Sequence, residues 1–169
     1  GKLLSYGIKT ESNVLILKIT RNIESTTRTN VFLQRIKGFY SYFKEKSHLP
    51  KFNFTEISIK YDTENQLTKD MFTGIDCVFV PNSRVHVVAK FIKENDLKDM
   101  RIVGYELLKQ NLEYLNDGVI DFLIHQKPEE QGYLGINHLY KKSVLKESVE
   151  DLQYMPLEII VQENCIMKK

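Results

Sequence analysis

The sequence predicts an α/β protein, a three-layer sandwich in which a mostly parallel sheet lies between helices. Three observations predict it. Short apolar, β-branched runs alternate with stretches of helical periodicity from Asn13 to Ile124. The links between them are short, and β-α-β crossovers of this kind make neighbouring strands parallel and cover both faces of the sheet. The third observation is size: 169 residues with 42% hydrophobic content suffice for one compact core and are short for two. No internal repeat appears, and the four prolines and eight glycines are scattered rather than gathered into a linker.

Taken in order, a short helical piece lies around Lys2–Tyr6, followed by "NVLILKI" (Asn13–Ile19), a continuous apolar run suited to a strand buried on both faces. The polar "TRNIESTTRTN" reads as a loop. From Thr29 the letters Phe32, Ile36, Phe39 and Phe43 recur at helical spacing, which predicts a helix to about Lys46 that lays an aromatic face on the sheet, with Gly38 allowing close approach. "SHLPKFN" ends it. "FTEISIKY" (Phe54–Tyr61) is the next strand, "NQLTKDMF" is a polar piece of about two helical turns, and "GIDCVFVP" is the third strand. Helix Val85–Glu94, strand Met100–Tyr105, helix Leu107–Leu115 and strand Val119–Ile124 follow. "PEEQGYLGINHLYKK" opens with Pro and two Glu, good first-turn residues, and predicts a helix Pro128–Lys142. "SVLKESVEDLQYMP" reads as a surface loop and "LEIIVQEN" as a last strand.

The charge is nearly balanced, 24 basic against 22 acidic residues, and no Lys/Arg run is long enough to follow a row of phosphates. Direct nucleic-acid binding by this stretch is therefore disfavoured. Two cysteines, Cys77 and Cys165, make no disulfide framework and fit a reducing compartment, so a cytoplasmic location is expected. No apolar stretch approaches roughly 18 residues and no basic-then-apolar leader is visible, so no membrane contact is expected.

Four histidines, His48, His86, His125 and His138, lie far apart without a second ligand at metal spacing, and surface or internally satisfied histidines are expected rather than a metal site. No G-x-S-x-G, G-x-x-x-x-G-K-[ST] or G-x-G-x-x-G occurs, so no catalytic residue and no cofactor is assigned. The chemistry is expected where strands end. In an open parallel sheet, ligands bind outside the carboxyl ends of the strands, where the loops converge. The residues just past these ends are Thr20 and Arg21, Tyr61 and Asp62, Asn82 and Ser83, Glu106, and Gln126. Acceptors, amides and one aromatic face suit a small polyol, whose hydroxyls both donate and accept. The plainer alternative is helix capping: Asn82 and Ser83 for the helix at Val85, and Glu106 as a first-turn acid.

The pieces "QRIKGF", "IDCVFVPNSRVHVVAKFIKEN", "MRIVGYE", "GVIDFLIHQKPEEQGYLG" and "PLEIIVQENC" carry a resemblance from about Ser12 to Cys165. In their order and spacing they resemble the carboxyl-terminal part of the effector domain of LacI/GalR-type transcriptional regulators, which has the type I periplasmic-binding-protein fold. The resemblance implies a Rossmann-like lobe, a sugar or related polar effector held between two lobes, a homodimer, and operator DNA bound through a separate helix-turn-helix. Residue by residue it implies ligand contacts from Arg35 of the R-x-x-G-F piece, Asn82 after the third strand, Glu106 at the acid of G-[FY]-D, and Gln126 at the hinge-side strand. Ser83 and, more loosely, Tyr61 join them.

Departures accompany the matches. Glu106 stands where aspartate is more common, Ser83 where an aspartate often follows the asparagine, and the 62–76 segment is short. No helix-turn-helix precedes Lys2 and no amino-terminal lobe is present, so the chain is expected to be one effector-binding lobe. Within it 1–126 would be the carboxyl-terminal lobe, 127–150 the crossover helix and loop toward the other lobe, and 151–169 the return strand and tail. A lobe of a transport-type sugar-binding protein, or a flavodoxin-like enzyme domain, is the alternative.

Overall fold

The computed structural model describes residues 1–6, 8, 11–20, 26–46, 50–60 and 66–165, with 26–30 described by backbone alone. Six strands form one sheet: β1 (Ser12–Thr20), β2 (Phe52–Lys60), β3 (Cys77–Phe79), β4 (Arg101–Tyr105), β5 (Phe122–His125) and β6 (Glu158–Ile160), in the spatial order β2-β1-β3-β4-β5-β6. The first five are parallel and only β6 runs antiparallel, against β5. The three-layer α/β architecture expected from the alternation is therefore the one adopted.

Helices cover both faces because the strand side chains alternate between two apolar sets. On one face α3 (Val85–Glu94) and α4 (Lys109–Asn116) pack over Leu15, Leu17, Val78, Ile102 and Leu123. On the other, α1 (Lys2–Ser5) and α2 (Thr26–Glu45) cover Val14, Ile16, Cys77, Phe79 and Val103. β1, the continuous apolar run, is buried on both faces, as a central parallel strand must be. The aromatic face of α2 is centred on Phe39, whose ring stacks on Phe79 with centroids 4.5 Å apart, while Phe43 packs on Phe52 and Phe54. Ile36 and Tyr40 complete it, and Phe32 lies outside this cluster.

Several boundaries differ from the sequence expectation. α2 begins at Thr26, inside the polar stretch read as loop, and the strand expected over Val119–Ile124 pairs only from Phe122. There Val119 and Ile120 turn their N–H groups back onto Tyr114, extending the end of α4 instead of the sheet. Among the described residues of "NQLTKDMF" there is no two-turn helix; a 3-10 turn, Lys69–Phe72, is present, and Leu67 and Phe72 are buried in the core. Gly38 does not bring α2 closer to the sheet, since a Cβ there would meet nothing within 4 Å. The close approach belongs to Gly104 of β4, where a Cβ would lie 2.4 Å from Val85 Cγ1. Beyond β5, α5 (Pro128–Tyr140) carries Pro128, Glu129 and Glu130 in its first turn, as expected, and continues into a π-helical turn, Lys141–Leu145. Leu134 is half-buried, whereas Tyr133, Ile136 and Leu139 are exposed.

Candidate functional site

The carboxyl ends of β1, β3, β4 and β5 lie along one edge, and of the residues expected at the site Arg35, Glu106 and Gln126 come together there. Arg35 enters from the middle of α2. Its Nη1 donates to the carbonyl of Pro81 at 2.7 Å, its Nη2 donates to Gln126 Oε1, and its guanidinium plane lies 4.0 Å from the centroid of the Tyr105 ring. Thus one planar fork ties α2 to the end of β3 and the end of β5, which a point-charge ammonium could not do. Burial pushes the Arg35 guanidinium below its ordinary value, and the neighbouring Tyr105 and Glu106 oppose that shift. The third donor, Nε, is buried and has no hydrogen-bond partner among the described residues.

Glu106 follows β4 directly and has φ +68°, a left-handed backbone that a non-glycine residue adopts only under constraint. Its N–H donates to Ile124 O at 2.9 Å, extending the β4–β5 ladder by one bond and turning the chain out at the sheet edge. Its side chain faces His125 at the end of β5, with Oε2 3.4 Å from Nδ1 and each side chain 20% exposed. Both of those atoms are buried, and neither has a hydrogen-bond partner among the described residues. A buried, unsatisfied polar atom is costly, about 1–3 kcal/mol each. Arg35 Nε, Glu106 Oε2 and His125 Nδ1 thus lie buried beside this edge, while Glu106 and His125 keep part of each side chain, 20%, exposed to an added hydroxylated molecule.

Asn82 is buried and its amide is turned inward: Nδ2 donates to Ile19 O at the end of β1, and Oδ1 accepts from Arg84 N at 3.1 Å. Its visible work is to bind the β3–α3 loop to β1. It does not cap α3, whose N-cap residue is Arg84, and Glu106 lies ahead of α4, whose first turn holds no acid. Both capping alternatives are thereby removed. Ser83 is half-buried in the same loop, and its carbonyl accepts from Asn111 Nδ2. Gln126 is held from the other side, its carbonyl accepting from Gln131 Nε2 at 2.6 Å. Tyr61, like Arg21, Asp62 and His48, lies outside the described residues.

Two residues of the site escape sequence reasoning. His125 is not a surface histidine but the neighbour of Glu106, and the only sequence hint is its place at the last position of a strand. Asn111, fully buried on α4, hydrogen-bonds to Ser83, Tyr105, Glu106 and His86; a polar residue at the sheet-facing helical position shared with Leu115 was the available signal. His86 is the satisfied histidine of the expectation, with Nδ1 3.0 Å from Asn111 Oδ1. No cluster of three metal-ligating side chains occurs among the described residues.

This geometry, a doubly covered parallel sheet with its polar residues at the carboxyl edge, has relatives. Residues 1–147 match the periplasmic binding protein domain. No curated protein matches the sequence at a significant level. Among solved structures the fold is similar to a candidate LacI transcriptional regulator from Bacteroides fragilis, with 25% identity and a TM-score of 0.78 over 91% of this chain and 54% of that one. It is also similar to a carbohydrate transporter solute-binding protein from Agrobacterium radiobacter in complex with D-arabinose, with 26% identity and a TM-score of 0.71 over 91% of this chain and 52% of that one. An ABC transporter periplasmic solute-binding protein from Actinobacillus succinogenes 130z with bound D-allose shares the fold at 20% identity, with a TM-score of 0.69 over 90% of this chain and 53% of that one. The chain thus spans about half the length of the structures it resembles. With the family match running from Gly1 through the whole of α5, the chain belongs to the periplasmic binding protein domain family.

Proposed function

We propose that this chain is the ligand-sensing lobe of a LacI/GalR-type transcriptional regulator that binds a sugar or a related small polar effector and thereby changes operator affinity. The observation that carries the ligand class is the convergence of Arg35, Glu106, His125 and Gln126, donors and acceptors together, on the carboxyl edge. Ser83 and Tyr61 complete the proposed ligand set, and Asn82, its amide engaged with Ile19 and Arg84, holds the loop that carries Ser83. The bound D-arabinose and D-allose of two structural relatives support a carbohydrate. The regulatory role draws on the LacI-type relative, which has the highest TM-score of the three. No catalytic step is proposed.

In this reading 1–126 is one lobe, 127–150 crosses toward a second, and 151–169 returns. Operator DNA is met by a helix-turn-helix outside these residues, and the regulator works as a cytoplasmic homodimer. A transport-type sugar-binding protein is the second reading, favoured by the carbohydrate transporter protein at 26% identity. Calorimetric titration with a sugar panel, followed by operator gel shifts of the full-length protein with and without the best ligand, tests the proposal. Sugar binding with altered operator affinity is expected. Sugar binding by a protein that retards no DNA selects the transport reading, and no binding to any sugar rejects both.

A further inference from the structure

Asn111 is fully buried on α4, yet apolar contacts would serve a helix packed on a sheet better than an amide. Its Nδ2 donates to the carbonyls of Ser83 at 3.0 Å, Tyr105 at 3.1 Å and Glu106 at 2.9 Å. Three carbonyls around one nitrogen identify it as the NH2 end of the amide, because an oxygen there would be repelled by all three. With two protons for three acceptors, one bond is shared. The other end, Oδ1, then accepts from His86 N at 3.1 Å and faces His86 Nδ1 at 3.0 Å, so the His86 ring carries its proton on Nδ1.

The residue that gains most from this is Glu106. Its left-handed backbone is strained for a residue with a Cβ and persists only where the surroundings over-determine it. Two backbone bonds do so: its N–H is held by Ile124 O and its C=O by Asn111. The conformation aims the carboxylate back over the sheet edge toward His125, 3.4 Å away, where an extended or helical backbone would send it elsewhere. The same amide also holds Ser83, in the loop that carries Asn82.

We propose that Asn111 is a positioning residue for the ligand site: it locks Glu106 in the left-handed conformation, in register with the Asn82–Ser83 loop, and thereby presents the carboxylate to the ligand. This rests on the reading of Glu106 as ligand-facing, but its principal test uses no ligand. A crystal structure of the chain carrying Asn111→Ser is expected to show Glu106 leaving the left-handed region and its Oε2 moving out of reach of His125 Nδ1, with β1, β3 and β5 in place. Glu106 keeping both its φ and its distance to His125 in that variant overturns the proposal.

The unaltered chain supplies a second measurement should the variant fail to fold. Nitrogen-15 NMR is expected to show His86 as the Nδ1–H tautomer and the Asn111 amide protons protected from exchange. An Nε2–H tautomer or freely exchanging amide protons overturns the proposal equally. D-arabinose and D-allose titrated in parallel keep the two readings apart. Binding about tenfold weaker in Asn111→Ser, roughly one hydrogen bond's worth, supports the positioning role, whereas an unaltered chain that binds no sugar counts against the sugar reading and leaves the Glu106 geometry to decide this one.

Discussion

Arg35 illustrates how one side chain can be structural and functional together. Its fork bonds Pro81 and Gln126 while its face covers Tyr105, so α2 is joined to the ends of three strands before any ligand arrives. Arg35→Lys keeps the charge but cannot span both acceptors or stack. It is expected to cost about 1–2 kcal/mol in urea unfolding, about one or two hydrogen bonds, and to weaken ligand binding as well. A variant of unchanged stability would show that the fork is not holding the strand ends. The two cysteines offer a second residue-scale test. Burial in the sheet pushes the Cys77 thiol up to about 11, whereas Cys165 is partly exposed. Because the thiolate is the reactive form, iodoacetamide at pH 8 is expected to alkylate Cys165 in the folded chain and Cys77 only in denaturant. Labelling of both at equal rates in the folded state would contradict the buried β3.

At the scale of elements, two glycines in different surroundings predict opposite outcomes. Gly104 brings β4 against the first turn of α3, where a Cβ would meet fully buried Val85 at 2.4 Å. Gly104→Ala is therefore expected to destabilise the fold by about 1–3 kcal/mol, the usual range for overpacking a core. Gly38 sits inside α2 with open space where its Cβ would be. There Gly38→Ala removes only the entropic penalty of a helical glycine and is expected to stabilise by about 0.5–1 kcal/mol. Thermal melts of the two variants side by side check both signs. The same comparison tests the layer geometry, since a looser α3 contact would make the two substitutions behave alike.

For the whole molecule, the exposed face of α5 and the one-sided site have a common consequence under the two-lobe proposal. A ligand held from one side keeps its outer face in water, where its hydroxyls are satisfied without the protein. Losing half the contacts removes on the order of 4 kcal/mol, about a thousandfold in affinity. The 169-residue chain is accordingly expected to bind sugars in the millimolar range where the full-length protein binds in the micromolar range. Equal micromolar affinities in calorimetry would show that this lobe is a complete binding module. Tyr133, Ile136 and Leu139 are exposed along α5, and such a face favours self-association. Concentration-dependent sedimentation is expected, and it should be suppressed by Ile136→Glu with Leu139→Glu.

What the sequence determined by itself is what local periodicity and chain order encode. The apolar run of β1, the aromatic stripe of α2 and the short crossovers lead to a parallel sheet covered on both faces, because each pattern leaves one way to bury its apolar side. Since ligand sites of such sheets lie beyond the strand ends, Asn82, Glu106 and Gln126 were also legible as edge residues, whereas Arg35, 91 positions from its partner Gln126, was legible only through the family resemblance. Only the tertiary structure decided what these side chains do there. It turned the Asn82 amide inward to Ile19, set Glu106 in a left-handed turn opposite His125, and placed Asn111 beneath both loops. It also moved the close packing from Gly38 to Gly104 and set a 3-10 turn at Lys69–Phe72. The reason is physical: periodicity specifies which face of an element is buried, whereas a hydrogen bond or a Cβ contact between residues distant in sequence depends on ångström-scale placement, which only the packed elements together define.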